Sequence, residues 1–477
     1  MEQHDDDAHG PLYRRVADRV AGWISAGRLE SGERIPSIRK LARQMSVSVT
    51  TVLEAYRLLE DRGLIEARPQ SGYYVRRPAP PGPEPARTET AERPAPPDVA
   101  DLAFDVLPHV GNPDLVPLGA AAPSTEFLPV ERLNRLLARA VRLHPDTSHS
   151  YGRVPGWREL RVQIARRGLD SGCSFSPDDV ITTGGAQQAL SLALRSVARP
   201  GETVAVESPT YHGLLQAIET QGLRALEIAT DPRNGVCLDE LRAVVEKRPI
   251  AAVAIAPSFG NPLGHSMPIA DRRRLVEMLA DAGVPLIEDD VYGELPYEGA
   301  RPQACKAFDR AGGVLLCSSF SKTIAPGYRV GWIVPGRYFD AVQRAKYAAV
   351  IATAIPQQMA IAEFLASGGF DRHLRRLRRT YRDLSQRTIC AIREHFPDGT
   401  RVTRPTGGHL LWIELAEQVD ALRVQRQALA LGISVLPGPI FSPSGRYRNC
   451  LRVNCAVPWS DRIENALRTL GHLSARG

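Results

Sequence analysis

The chain has no run of about 18 apolar residues, the length a membrane-crossing helix needs, so a helical membrane span is not expected. Its first ten residues, MEQHDDDAHG, are acidic and polar where a secretory leader is basic and then apolar, which makes the cytoplasm the expected compartment. Cysteine is sparse. The seven residues, Cys173, Cys237, Cys305, Cys317, Cys390, Cys450 and Cys455, are odd in number and never spaced as CxxC. Neither a disulfide framework nor a metal centre is expected from them, and they read as reduced, mostly buried thiols. A large excess of one charge is also lacking, since the net charge is only +7 over 477 residues.

What is present suits a folded chain of more than one domain. The length exceeds an ordinary single core, and 43% hydrophobic with 24% charged residues argues against general disorder. The charge is unevenly spread. Gly10 to Arg77 holds 13 Arg or Lys against 7 Asp or Glu, while a similar excess is diluted over Asp98 to Gly477. A small, dense basic module points to a polyanionic partner. Pro78 to Pro97 carries eight prolines without a hydrophobic period and reads as an extended linker that neither packs nor pairs. Fully extended it spans roughly 60 Å at about 3 Å per residue.

Within the basic module, Val16, Val20, Trp23 and Ile24 have helical spacing in a stretch from Tyr13 that ends at Gly27. Pro36 and Ser37 start a second helix, Ile38 to Met45. Ser48 caps a third, which runs through Asp61 with Val52, Ala55, Tyr56 and Leu59 facing inward. Two helices joined by Ser46-Val47 form a helix-turn-helix. LIEARPQSGYYV, from Leu64, then reads as strand, turn and strand, a wing.

This order, with the phrases IPSIRKLA and ARPQSGYYV, resembles the winged helix-turn-helix of GntR-family bacterial regulators. The resemblance implies that Arg39 and Arg57 hold DNA phosphates and that Ser48, Thr50 and Thr51 face the groove. It also implies that Arg68 with Gly72 places the wing tip. Val49 and Leu53 stand where many members carry arginine, so thymine methyl contact or shape readout is expected in place of guanine recognition.

After the linker, short apolar runs alternate with helical stretches: ITTGG, TVAVE, AVAIAP, VPLIED and VLLCSS. That alternation implies an α/β domain with a mostly parallel sheet, whose ligands bind beyond the strand ends. Lys322 follows VLLCSS within SFSKTIAPGYRVGW; Ser319 to Lys322 also has the SxxK spacing of penicillin-binding enzymes, but the chain has no SDN or KTG sequence to accompany it. From about Leu115 onward the ordered motifs resemble fold-type I pyridoxal phosphate aminotransferases, with a large domain and a smaller C-terminal α+β subdomain.

That resemblance implies a Schiff base on Lys322, with catalytic roles for Asp289 at the ring nitrogen and Tyr292 at the phenolic oxygen, joined there by Asn261. Tyr211 would stack on the ring. Gly185, Ala186 and Gln187 at a helix start, with Ser319, Ser321 and Arg329, would hold the phosphate, helped by Tyr151 from the other subunit of a homodimer. Arg452 would grip an amino acid carboxylate. Residues 1–77, 78–113 and 114–477 are then reader, linker and aminotransferase-like domain. The three in this order resemble the MocR subfamily of GntR regulators. They imply a DNA-binding regulator that carries pyridoxal phosphate and senses an amine or amino acid. A working aminotransferase with an accessory reader is the alternative.

Overall fold

The computed structural model describes residues 11–61, 64–68, 71–75, 82–99, 102 and 112–476. They fall into two compact units that divide between Pro81 and Gly82. None of the helices described is long and apolar enough to cross a membrane.

The smaller unit is three helices and a hairpin. Helix α1 (Leu12–Ser25) buries Val16 and Val20. Helix α2 (Ile38–Met45) starts where Ser37 Oγ accepts from the Lys40 amide at 3.3 Å and stops at Ser46, whose φ of +50° turns the chain. Helix α3 (Val49–Asp61) is capped by Ser48, whose Oγ accepts from the Thr51 amide at 3.0 Å. Its Val52, Ala55, Tyr56 and Leu59 are fully buried, as the spacing predicts. The Tyr56 hydroxyl donates to the Pro36 carbonyl, and its ring meets Tyr73 edge-on at 4.9 Å, so one side chain ties α3 to both the α2 entry and the hairpin. Strands β1 (Ile65–Arg68) and β2 (Gly72–Val75) pair antiparallel, and Arg34 bridges to Tyr74 from outside. Pro69 and Gln70 of the expected wing turn lie outside the described residues.

The larger unit is built on a mixed sheet, eight-stranded among the described residues. Its strands are β3 (Ile181–Thr183), β4 (Thr203–Ser208), β5 (Arg224–Asp231), β6 (Gly235–Val236), β7 (Ala252–Ile255), β8 (Leu286–Asp289), β9 (Val314–Ser319) and β10 (Gly331–Val334). The order is β3-β10-β9-β8-β7-β4-β5-β6, with β5, β4, β7, β8 and β9 parallel. Both faces are covered, which is why these runs are apolar throughout and do not alternate. A second sheet, β11 (Arg401–Val402), β12 (Leu410–Glu414), β13 (Leu436–Pro437) and β14 (Cys450–Asn454), has the order β11-β12-β14-β13 and carries Arg452 at its centre.

One expectation is corrected. The proline-rich stretch does pack and pair: Ala91 N–H donates to Glu227 O at 2.9 Å, and Ala95 and Ala225 exchange both backbone bonds. The reason lies on both sides. Ala86 to Arg93 is an eight-residue stretch without proline, so its N–H groups are available. Strand β5 has only the two-residue β6 beyond it, which leaves an open edge that the chain covers. Pro78–Pro81, 100–101 and 103–111 of the expected linker lie outside the described residues.

Removing a fully buried leucine from a small core leaves a cavity, so Leu59→Ala should cost roughly 2–5 kcal/mol within the smaller unit. Amide exchange should accelerate in α1 to α3 and stay unchanged in β4, β7, β8 and β9. Equal acceleration in both units would mean that they unfold together.

Candidate functional site

A cavity of about 240 Å³ opens at the C-terminal ends of β8 and β9, the end at which an open parallel sheet leaves backbone groups and turns free for ligands. Lys322 lies just beyond β9, and its Nζ donates to the Ala121 carbonyl at 2.6 Å. Burial, with Arg452 nearby, lowers its pKa from 10.5 to about 8, against the opposing pull of Asp289. Asp289 is the last residue of β8, and its Oδ1 accepts from the Val291 amide at 3.2 Å. Burial raises its pKa from 3.8 to about 7. The ring of Tyr292 lies 6.0 Å from Lys322 Nζ; its buried hydroxyl has no partner among the described residues, and burial lifts its pKa well above the usual phenol range.

The opposite wall belongs to Arg452. It is fully buried on β14, where Nη1 donates to Asn261 Oδ1 at 3.3 Å, Nη2 to the Gly119 carbonyl, and Nε has no partner among the described residues. Burial lowers its pKa to about 10; the groups that favour its charge are Tyr292 and Tyr211, neither of them a carboxylate. Tyr211 ends the turn into helix α5 (His212–Thr220), and burial raises its pKa to about 12.

The third wall presents a helix start, two serine hydroxyls and a guanidinium. Helix α4 (Ala186–Val197) begins at the cavity, with Ala186 and Gln187 in its first turn, where N–H groups lack intrahelical partners. Gly185 precedes it at φ +99°, and a Cβ there would collide with Arg329 Nη2. Gly185 thus makes room for Arg329 and does not itself line the cavity. Arg329 Nη2 donates to the Gly184 carbonyl at 2.9 Å, while Ser319 Oγ accepts from the Ser321 amide at 3.3 Å. Lysine, carboxyl, two hydroxyaryl groups, amide and anion cradle therefore share one cavity. Tyr151 is apart from it and 86% exposed.

Three features went unread in the sequence. The carbonyls of Gly119 and Ala121 receive Arg452 and Lys322, and Gly119 to Ala122 lines the cavity. The run GAAAP gave a weak signal, small residues without a helical period. His212 lines the cavity beside Tyr211, its pKa lowered to about 3 by burial and then by Arg452 and Lys322. His409, also held neutral by burial, lies 5.3 Å from the Tyr292 ring and bonds Asn454 through Nδ1.

In the smaller unit Arg39 and Thr50 are exposed at the start of α2 and α3. The Thr51 hydroxyl instead bonds Ser48 Oγ at 2.8 Å and is half-buried, so Ser48 and Thr51 spend their side chains on the cap where a groove contact was expected. Arg57 pairs with Glu54, and Arg68 pairs with Glu66 at 2.8 Å over the Tyr74 ring. Gly72 has φ +106° with Arg34 lying across it.

The raised Asp289 pKa fixes a pH dependence. Held above its unfolded value, the group favours folding fully below pH 4, and that contribution is lost as pH rises through about 7. In protein freed of ligand, Asp289→Asn should therefore gain melting temperature relative to the native chain between pH 4 and 7 and hold that gain above it. A difference independent of pH would overturn the burial of this charge.

Residues 113–470 match the aminotransferase class I and II family, and residues 12–75 the gntR family of bacterial regulatory proteins. The chain is 43% identical over 459 residues to the uncharacterized HTH-type transcriptional regulator YjiR of Escherichia coli K12, covering 96% of this chain and 98% of that one. It is 28% identical over 438 residues to the probable rhizopine catabolism regulatory protein MocR of Rhizobium meliloti, covering 91% and 87%. Among solved structures, LysN, the α-aminoadipate aminotransferase of Thermus thermophilus, superposes with a TM-score of 0.73 at 30% identity, covering 78% of this chain and 94% of that one. A gntR-type reader followed by an aminotransferase class I and II domain, shared along nearly the whole length with such regulators, places the chain in the MocR subfamily of GntR-family DNA-binding transcription regulators.

Proposed function

We propose that the larger unit carries pyridoxal 5′-phosphate on Lys322 and that a carboxylated amine bound beside it changes how the reader engages DNA. The carrying observation is that one cavity holds a lysine with lowered pKa, a carboxyl with raised pKa and no salt bridge among the described residues, an orphaned phenol and a buried guanidinium. When bound, the cofactor supplies an electron-withdrawing ring for chemistry at an amine carbon. Asp289 would balance its ring nitrogen, and Tyr292 with the Asn261 amide would donate to its phenolic oxygen. Tyr211 would stack on it. Ala186 and Gln187 backbone groups, Ser319, Ser321 and Arg329 would hold its phosphate, with Gly185 giving Arg329 room. Tyr151, exposed on one subunit, would reach the phosphate of its partner in a homodimer.

Arg452 sets the ligand class, because a buried guanidinium is satisfied best by a bidentate carboxylate. The reader would hold phosphates through Arg39, Arg57 and Arg68, with Thr50 facing the groove and the Ser48–Thr51 cap and Gly72 shaping the two ends of that surface. Such a regulator works where the chromosome is, in the cytoplasm. The second reading, a working aminotransferase, is favoured by the depressed Lys322 pKa, which leaves unprotonated amine near neutral pH. Keto acid released over many turnovers would establish it.

Incubation with pyridoxal phosphate and borohydride should leave a phosphopyridoxyl mass on the peptide containing Lys322, lost in Lys322→Ala. An unlabelled native peptide would overturn the cofactor assignment. Amino acids should perturb the visible spectrum of the loaded protein more than decarboxylated amines of equal length, and Arg452→Ala should erase that preference while Lys322 still labels. Equal responses in the native chain would remove Arg452 from the ligand site. On operator DNA, Arg39→Ala should weaken binding across sequences and reduce the salt slope by about one. Thr50→Ala should instead change which site is chosen, whereas equal binding of operator and random duplex would sink the reader assignment.

A further inference from the structure

The segment from Gly82 to Ala95 does more than cover a sheet edge. Its first residues join the two sheets of the larger unit. The Glu84 carboxylate accepts from Arg233, just after β5, at 2.8 and 2.9 Å and forms an ion pair at 3.4 Å with Arg404, just after β11, which itself donates to the Gly82 carbonyl. The Val402 amide donates to the Pro83 carbonyl at 3.3 Å. Further on, Thr88 Oγ1 donates to the Ser208 carbonyl at 2.8 Å and accepts from the Thr230 amide at 2.9 Å. The Glu89 carbonyl accepts from Arg446 at 3.1 Å.

Both contacts lead into the cavity. Ser208 ends β4 three residues before Tyr211, and the intervening Thr210 amide donates to the Phe441 carbonyl at 3.0 Å. The Ser208 hydroxyl donates to buried Glu227 at 2.7 Å and also bonds the Tyr447 hydroxyl, next to Arg446. Ser444 closes the ring by donating to the other Glu227 oxygen at 3.1 Å. The Phe441 ring in that loop lies 5.5 Å from the Arg452 guanidinium and 5.7 Å from His212. One arm therefore runs from Thr88 to the residue facing the cofactor site, the other from Glu89 to the residue facing the carboxylate site.

We propose that this docked part of the linker positions the pocket, with Thr88 acting through Ser208 on Tyr211 and the Glu89 carbonyl acting through the Arg446–Tyr447 loop on Phe441. Occupancy of the pocket and docking of the segment then stabilise each other, because a coupling between two binding equilibria is reciprocal. The inference rests on the reading that the cavity takes pyridoxal phosphate. Its consequence reaches the reader through chain length: the segment is the covalent continuation of the smaller unit, and release of residues 82–99 would add up to about 60 Å of tether at roughly 3.3 Å per residue. A longer tether lowers the effective concentration of one reader at a second half-site.

The test uses the full chain with pyridoxal phosphate as the probe. In the native chain the cofactor should slow amide exchange in the peptide spanning residues 84–95 several-fold. Thr88→Val should weaken cofactor affinity several-fold and abolish that protection, and Thr88→Ser, which keeps the hydroxyl, should restore both. A purely structural Thr88 would speed exchange in the segment and leave cofactor affinity unchanged. Should Thr88→Val fail to fold, Arg446→Gln, which removes the bond to the Glu89 carbonyl along with the guanidinium over the Tyr447 ring, is read in the same two ways. Labelling of Lys322 with unchanged exchange in 84–95 and unchanged affinity in the variants would overturn the coupling and leave the cofactor reading intact. Absence of Lys322 labelling in the native chain would overturn both.

Discussion

The larger unit depends on keeping Lys322, Arg329 and Arg452 and the carboxyl of Asp289 around the same small cavity. Removing a charge from water is expensive unless it is paired, and Lys322, Arg452 and Asp289 are not mutually paired. Their pKa values record the strain, since burial pushes Lys322 and Arg452 down and Asp289 up. Each shift moves the group toward its neutral form. A cation placed beside Asp289 or an anion placed beside Arg452 would reverse the shift of that group, so unfavourable ionisation marks where a charged ligand is best received.

What makes this tolerable is backbone. Gly119 and Ala121 lend carbonyls to Arg452 and Lys322, and Arg329 leans on the carbonyl of Gly184. Carbonyl oxygens stabilise cations without neutralising them, so the charge remains available to a ligand. Close approach is needed for this: a Cβ at Gly119 would meet Ser434 Oγ at 2.5 Å, and one at Gly185 would meet Arg329. The strands supply rigidity because they are buried on both faces; Asp289 sits on the last residue of its strand and Lys322, Tyr292 and Tyr211 in the turns beyond, while Arg452 is held mid-strand on β14.

The same physics decides what the sequence could reveal. Lys322, Asp289, Tyr292 and Arg452 were singled out through the ordered motifs that resemble fold-type I aminotransferases, since each residue alone had an ordinary structural reading. The carbonyl acceptors were illegible, since a backbone oxygen has no letter. His212 was hidden by its neighbour: once Tyr211 had been read as the stacking ring, nothing in spacing separated the next residue from ordinary helix surface. The linker was misread by averaging. Eight prolines dominate the composition of Pro78 to Pro97, but all eight flank the proline-free Ala86 to Arg93, and it is that stretch, with Ala95, that pairs with β5. Thr51 shows the opposite limit, for capping and groove contact draw on the same hydroxyl, and only geometry reveals that Ser48 has claimed it.

The reader follows a similar economy of partial satisfaction. Arg57 and Arg68 are already paired with Glu54 and Glu66, yet both pairs are largely exposed, and such pairs hold at most about 1 kcal/mol. Such pairs are weak enough to exchange, so under the proposed function a DNA phosphate would replace the screened glutamate at little cost. Specificity cannot come from these contacts, which are blind to sequence. The short face left open by the Ser48–Thr51 cap, where Val49 is 52% exposed and Thr50 stands beside it, is the proposed source of specificity. An apolar branched side chain there favours a thymine methyl over a guanine edge. One such face makes few discriminating contacts; in the proposed reading two readers would act together, and the length of tether available to each would then set how readily the second one binds.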